Sequence, residues 1–568
     1  MIQLLTRTRT GSRSAGIDIQ RKLPWRNVLF LLVALASGML TLAITSQEPL
    51  LQLGANGGGP FWHLPAAAWV GVSLIAALCI FVESHFVRLV ATAMFGLVTM
   101  GALGLVEPLG VFHDSWQNVG IGGLAVSAQA EAASKVPYLA SSPGAFLLFG
   151  ALGGAFVDTP AFLRIYPSIS VLLYCAGAYM LATAFADSHK GGLGIDRVRF
   201  GLMSAFAFLL LGPLFYVRIN PAPQSVAFAL MPFCLAAVLR GSNNVRFRII
   251  GLFAFAAIVV IHPITALMTT TVCIAWLAVD WLVRRKSEPV MAGNSVTLYI
   301  CLFVSWMVYV GIWVISTGGA FFTRILAVLN SGQQAKVTAS SAEGLQQFIW
   351  VHRIGLAGGA LLVLGGLVML ILANRAAGTR MAAWFAISAA WLPLLFFGEF
   401  GDRGPLFALV PASLAAGYLL TTPKKHAVAW ALGVLVLATA ATNYVTAYPN
   451  HAGEVIMQSE VSAFKVIAGQ SSDHKISYGY APPLTGDDLK AYANDQLRIY
   501  AIGAADFSYD RLTKTRNVIV ISTQMREAAK LRGPRAEQAL QQFEQKLLED
   551  EKYDLIYDDG EVRAFRAR

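Results

Sequence analysis

Residues 200–217 read FGLMSAFAFLLLGPLFYV, and after the turn Arg218-Ile219-Asn220-Pro221 the chain resumes over residues 222–240 with APQSVAFALMPFCLAAVLR. Eighteen uncharged residues make a helix of about 27 Å at 1.5 Å per residue, close to the thickness of bilayer hydrocarbon. A helix on the surface of a soluble protein carries a polar stripe, and neither run has one between its ends. Two such helices back to back define a chain that lives in a membrane.

The pattern recurs along the chain. Apolar runs bounded by charge or turn residues fall at about 28–45, 66–83, 89–106, 166–186, 199–217, 222–240, 249–262, 264–283, 297–316, 353–374, 382–397, 405–421 and 427–446. This predicts a mainly α fold, a polytopic bundle of about thirteen spans. The seventh run is short for a full crossing and is expected to end inside a water-filled cavity. The first has a basic flank but no clear small-residue cleavage site, and reads as an uncleaved anchor. Composition agrees: of 568 residues, 56% are hydrophobic and 13% charged, where a soluble domain carries about a quarter charged. Soluble, disordered and fibrous classes are excluded.

Charge divides the chain. Residues 1–450 hold 27 Lys+Arg and 14 Asp+Glu, whereas residues 451–568 hold 16 and 18. The expected organisation is a basic N-terminal segment (1–27), a membrane domain (28–447) with long outer loops at 107–165 and 318–352, and a C-terminal α/β domain (448–568). The excess of +11 comes from the membrane part, so nucleic acid is not the partner it implies. Of the 27 basic residues before position 450, 20 fall in one set of loops, including Arg88, Arg197, Arg199, Arg240 and Arg380, and seven in the other. The positive-inside rule makes the first set cytoplasmic. The N-terminus is then inside, the C-terminal domain extracytoplasmic or periplasmic, and the protein a multi-pass component of the plasma (inner) membrane. In the tail, strands are expected at 475–478, 498–502, 518–522, 553–557 and 562–565, and helices at 454–468 and 536–548, with Asp558-Asp559-Gly560 a hairpin turn. The five cysteines all lie in apolar runs without a CxxC, and read as buried thiols. The apolar run 144–157 is too short to span and is expected on the membrane surface or packed over the bundle.

Candidate chemistry lies in the outer loops. Asp114, beside His113 in Gly110-Val111-Phe112-His113-Asp114-Ser115-Trp116, follows the third span and is flanked by aromatics. Partial desolvation can raise a carboxylate's basicity toward that of a general base, and the alternative is a helix N-cap without chemistry. Arg218 and Arg403 are basic residues on the side where such residues are scarce. A guanidinium there can hold a phosphate with its planar fork, or pair with Glu399 or Asp402. His262, before Pro263, falls at the same membrane level; a core histidine satisfied by its neighbours is the alternative. His113, His262 and His352 lack metal-ligand spacing, and no HExxH, P-loop or GxSxG motif occurs.

The loop with Asp114 runs into Tyr138-Leu139-Ala140-Ser141-Ser142-Pro143-Gly144, then come Arg164-Ile165-Tyr166-Pro167, Asn220-Pro221-Ala222-Pro223-Gln224-Ser225, His262-Pro263-Ile264-Thr265 and Gly401-Asp402-Arg403. This order resembles the GT-C superfamily of membrane glycosyltransferases, which includes oligosaccharyltransferase catalytic subunits and the aminoarabinose and mannosyl transferases. The resemblance implies a polyprenyl-phosphate or polyprenyl-diphosphate sugar donor and a glycan, lipid or protein acceptor on the extracytoplasmic side. Asp114 would be the catalytic residue and Arg403 and Arg218 the donor-phosphate ligands, with His113, His262, Glu399 and Asp402 in support. It implies no cofactor, since the lipid phosphate stores the energy; a divalent metal is compatible, but no ligand set specifies one. Two features depart from the pattern: the candidate loop follows the third span rather than the first, and the WWD-type signature of oligosaccharyltransferases is missing, which argues against protein N-glycosylation. A polysaccharide polymerase or ligase, a lipid or glycan transporter, and a structural membrane protein with a partner-binding tail are the competing readings.

Overall fold

The structure is a computed structural model, and it describes residues 24–45, 65–106, 113–126, 139, 142–155, 159–189, 193–215, 217, 219–242, 244–283, 293–310, 345–390, 403–422, 426–446, 458–469, 474–478, 497–501, 518–531 and 534–568. The helices are α1 (Trp25–Thr45), α2 (Ala66–Phe81), α3 (His85–Gly96), α4 (Ala102–Val106), α5 (His113–Val126), α6 (Pro143–Ala155), α7 (Thr159–Ser188), α8 (Arg197–Leu211), α9 (Pro223–Gly241), α10 (Val245–Ile261), α11 (Pro263–Val283), α12 (Gly293–Tyr309), α13 (Leu345–Ala373), α14 (Arg375–Ala390), α15 (Arg403–Thr421) and α16 (His426–Thr446). A π-helical turn, Leu97–Gly101, joins α3 to α4. Each of the thirteen expected spans lies largely on helix where it is described, with residues 311–316 and 391–397 outside the described residues, and among the described residues eight helices are long and apolar enough to cross a membrane.

Burial sorts the helices. α8 is the axis: every residue from Phe200 to Leu211 is buried. It packs on α7 and α15, and α9 packs on α7 and α10. Small residues permit the close approaches: a Cβ on Gly417 would stand 2.3 Å from the Ser204 hydroxyl, and one on Gly366 only 1.9 Å from the Ala415 carbonyl. The outer helices turn large apolar side chains outward, among them Leu32, Met39, Phe253, Leu361 and Val434. That surface is unfavourable in water and suited to lipid.

Several expected boundaries move: α13 begins at Leu345 rather than 353 and α14 at Arg375 rather than 382. α7 begins at Thr159 rather than near 166 and carries Pro167 inside it. Gly104 accommodates it: a Cβ there would stand 2.4 Å from the Arg164 carbonyl and 2.7 Å from Pro167. The apolar run after residue 143 forms α6, which packs against α5 over the bundle. Their crossing is glycine on glycine, for a Cβ on Gly150 would lie 2.0 Å from the Gly122 carbonyl oxygen.

The tail contributes α17 (Gln458–Gly469), β1 (His474–Tyr478), β2 (Leu497–Ala501), β3 (Val518–Ser522), α18 (Thr523–Leu531), α19 (Pro534–Glu549), β4 (Tyr553–Asp558) and β5 (Val562–Ala567). The sheet order is β2-β1-β3-β5-β4. β1 pairs in parallel with β2 and β3, and β5 pairs antiparallel with β3 and β4. The β4–β5 turn places Gly560 at φ +88°, where a side chain would be strained, and Asp559 accepts from the Glu561 and Val562 N–H groups. Amphipathic α18 and α19 cover one sheet face through Ile519, Ile521, Met525, Leu540 and Phe543. On the other face, Phe464, Ile467, Ile476 and Val520 form one buried cluster with Ile121, Leu124, Leu139 and Phe146 of the α5–α6 region. The tail therefore shares a core with the segment that follows the third expected span.

Candidate functional site

Hydrogen bonds and ring contacts identify the two ends of the bundle. At one end lie the His85–Asp196 contact (3.2 Å), the Arg197–Asp187 pair (3.0 Å) and Arg240 against Asp187 (4.0 Å). Arg380 is buried there between Asp280, which its Nε meets at 2.9 Å, and His189, whose Nε2 is 2.6 Å from its Nη1. Arg88, Arg197, Arg199, Arg240 and Arg380, grouped on one side by the charge pattern, share this end.

The other end has few charged contacts among the described residues: Arg164 donates to the Leu105 carbonyl at 3.2 Å, and Arg353 lies over the Trp350 ring at 5.0 Å. The turn before α9 is held by Ser225, whose Oγ lies 2.7 Å from the Asn220 carbonyl and 2.8 Å from that of Ala222. It accepts the Ala222 N–H at 3.3 Å. With its proton turned to a carbonyl, Ser225 accepts from the Tyr166 hydroxyl at 2.9 Å. Tyr174 donates to the Ser225 carbonyl at 3.2 Å. From α5, Asn118 Nδ2 donates to the Pro221 carbonyl at 3.0 Å. Position 114 is one helical turn before Asn118 and shares its face of α5, so the face that meets this turn carries both.

Other elements converge here. Phe407, one turn into α15, contacts Phe228 near the start of α9, with centroids 6.2 Å apart. At its far end α15 meets α8 through Tyr418 and Phe200, at 6.3 Å. The α15 N-terminus, and Arg403 with it, is thus at the end of the 219–224 turn. α10 runs antiparallel to α9 and ends at His262, which is 3% exposed. A Cβ on Gly144 of α6 would touch Val260 and Ile261 just before it. His262 Nδ1 accepts the Thr265 N–H at 3.3 Å and lies 2.9 Å from the Thr265 hydroxyl, so it caps α11 and its neutral ring carries the proton on Nε2.

Of the predicted residues, His113 and Asp114 occupy the first turn of α5, Arg403 is the first residue of α15, and His262 lies between α10 and α11. Asp114 falls in the described part of α5, and the residues before it, 107–112, lie outside the described residues. Arg218, Glu399 and Asp402 lie outside the described residues. Sequence reading missed Asn118, Tyr166, Tyr174 and Ser225, which build the turn. The available signals were Asn118 one turn beyond Asp114 and Ser225 three residues beyond Ala222, the spacing of a capping box.

Buried polar atoms without a hydrogen-bond partner among the described residues include Gln224 Nε2, in the first turn of α9, and Ser142 Oγ, just before α6. An unsatisfied buried group costs about 1–3 kcal/mol, which makes such positions worth explaining. Nearby, an apolar cavity of about 280 Å³ lies between α10 and α12, lined by Val259, Val260, Leu302, Trp306 and Tyr309. No group of three or more His, Cys, Asp or Glu among the described residues could hold a metal.

No protein-family model matches the chain, and no curated protein is significantly similar to it. Among solved structures it is similar to the oligosaccharyltransferase of Archaeoglobus fulgidus, crystallised with a disulfide-tethered acceptor peptide containing the NVT sequon. The TM-score is 0.43 at 12% identity, over 88% of this chain and 74% of that one. At that score the agreement between the two helix arrangements is loose.

Proposed function

We propose that the chain is an integral membrane glycosyltransferase of GT-C type, moving a sugar from a polyprenyl-phosphate or polyprenyl-diphosphate donor to a hydroxyl-bearing acceptor. The observation that carries this reading is the convergence at one end of the first turn of α5 with Asp114, the N-terminus of α15 with Arg403, and the Asn220–Gln224 turn. Asp114 takes the acceptor's proton as its oxygen attacks the anomeric carbon, and the lipid phosphate departs with the bonding electrons. Arg403 stands at a helix N-terminus, where unpaired backbone N–H groups and a guanidinium both suit a phosphate; Arg218 adds a second cation from the turn. The apolar cavity between α10 and α12 has the character an isoprenoid chain needs. The end carrying this site is assigned to the extracytoplasmic side, with the paired arginines of the opposite end in the cytoplasm.

Transfer is tested in membrane vesicles with radiolabelled polyprenyl-phosphate sugars. Wild type forms a labelled product and Asp114→Asn does not. Full activity in Asp114→Asn would remove Asp114 from catalysis and favour the polymerase or ligase reading, with Arg218, His262 and Arg403 as its candidates. Orientation is tested with a cysteine introduced at Ser472: labelling by an impermeant thiol reagent only after lysis would reverse the assignment.

A further inference from the structure

We propose that Gln224 is the residue that reads the sugar of the donor, giving a hydrogen bond from its side-chain amide to a hydroxyl of the ring. The proposal rests on the glycosyl-transfer reading above and names a specificity determinant within that site. Around the turn before α9 the other described polar groups are matched. The Asn220 and Ala222 carbonyls face the Ser225 hydroxyl, and the Pro221 carbonyl takes the Asn118 amide. Ser225 in turn is held by Tyr166 and Tyr174. These bonds fix the first turn of α9 rigidly, and Gln224 belongs to that turn. Its side chain is 5% exposed, and its Nε2, a donor with two hydrogens, has no acceptor among the described residues.

The chemistry of the group selects the ligand. A phosphate at this end is served by cations, at positions 403 and 218, whereas a neutral amide matches a neutral oxygen. A sugar hydroxyl is such an oxygen. It distinguishes one epimer from another by position alone, and a donor fixed on a rigid helix turn can read that difference. Ser142 Oγ, buried beside α6 at the same end, can accept or donate to a further hydroxyl.

The test measures binding to the detergent-purified full chain. The probes are geranylgeranyl phosphate and diphosphate, each bare and each carrying glucose, galactose or mannose. In wild type at least one sugar-bearing probe binds more tightly than its bare lipid phosphate. Gln224→Leu removes that increment, by about tenfold in apparent Kd, the scale of one neutral hydrogen bond. Affinity for the bare lipid phosphates is unchanged, which also reports that the variant is folded. Gln224→Glu, nearly isosteric, alters the ranking among the three sugars and serves as the second variant should leucine disturb the turn. If the increment and the ranking persist in both variants, Gln224 does not contact the sugar and the transferase reading is untouched. Failure of every probe to bind wild type would overturn the glycosyl-donor reading itself and Gln224's role with it.

Discussion

Removing Asp280 should destabilise the bundle severely, while removing Asp280 and Arg380 together should not. The Arg380 side chain is 1% exposed and that of Asp280 5%, and the pair joins α14 to α11. His189 completes the site: its Nδ1 lies 2.6 Å from the Phe185 carbonyl, to which it donates, leaving Nε2 to accept from Arg380. The Trp276 indole also donates to the Arg380 carbonyl at 3.3 Å. Asp280→Leu leaves a guanidinium in an apolar interior with a neutral imidazole opposite it. Breaking a buried pair in this way costs about 3–5 kcal/mol, because the remaining charge has lost both water and its counter-ion. Asp280→Leu/Arg380→Met removes both charges and replaces them with apolar volume, which is commonly neutral or stabilising; what remains is the hydrogen bond that His189 Nε2 loses, worth about 1–3 kcal/mol. Unfolding by SDS in mixed micelles, followed by tryptophan fluorescence, measures each variant. A single-variant loss below about 1 kcal/mol, or a double variant that costs the sum of the singles, would show that the contact is not an isolated buried pair.

Asp114→Asn should lower transfer by roughly a hundredfold to ten-thousandfold, since the amide cannot take a proton, while thermal unfolding changes little. Arg403→Lys should raise the apparent Kd for geranylgeranyl phosphate, because lysine keeps the charge but loses the planar fork. Gly150→Leu should separate α5 from α6, since even its Cβ meets the Gly122 carbonyl at 2.0 Å; the variant should then unfold at a lower SDS fraction than wild type. Asp196 caps α8 by accepting the Val198 and Arg199 N–H groups, and Asp196→Ala should cost about 1 kcal/mol. Burial opposes ionisation of Asp196, but those two N–H groups, with His85 and Arg199 nearby, hold its pKa below the usual 3.8. A depressed carboxylate contributes stability above its unfolded pKa and loses it as pH falls, so the wild-type advantage over Asp196→Ala should be present at neutral pH and fade below about pH 4.

The fold was readable because the forces that shape it act locally along the chain. Each of the thirteen apolar runs lies on helix over most of its described length, since a backbone in lipid must satisfy its own hydrogen bonds and a helix does so within one segment. In the tail, Val518–Ser522 and the Asp558-Asp559-Gly560 turn announced themselves through β-branched residues and turn chemistry. α18 went unread, its nine residues too few to show a period beside the strand that precedes them. The early start of α7 was hidden by Pro167, which ordinarily ends a helix and is tolerated here beside Gly104. Long-range pairings were out of reach. Asp280 and Arg380 are 100 residues apart, and His189 and Arg380 are 191 apart; the one flag was an acid at the end of an apolar run, where an unpaired charge is costly. Tyr166, Tyr174 and Ser225 look like ordinary apolar-helix residues until the fold places them around one turn.

On the proposed reading, the two ends of the bundle also bear on which of them would hold the donor. Basic residues are most numerous at the α8 N-terminal end, which on charge alone would be the natural place for a phosphate-bearing donor. Yet several cations there are engaged in structure. Arg197 is paired with Asp187 and Arg380 with Asp280, Arg248 holds the Gly241 and Ser242 carbonyls, and Arg88 holds those of Cys79 and Val82. A guanidinium committed to a helix terminus or a buried carboxylate is a poor phosphate ligand, since binding would first have to break those bonds. At the opposite end a serine, two tyrosines and an asparagine, all neutral, brace a proline turn. A framework of that kind fixes geometry without adding charge of its own. On the proposed reading, Asp114 in α5 and Arg403 at the start of α15 would supply the charge there. The end with fewer cations is the site on that reading, because several cations of the other end are committed to the framework.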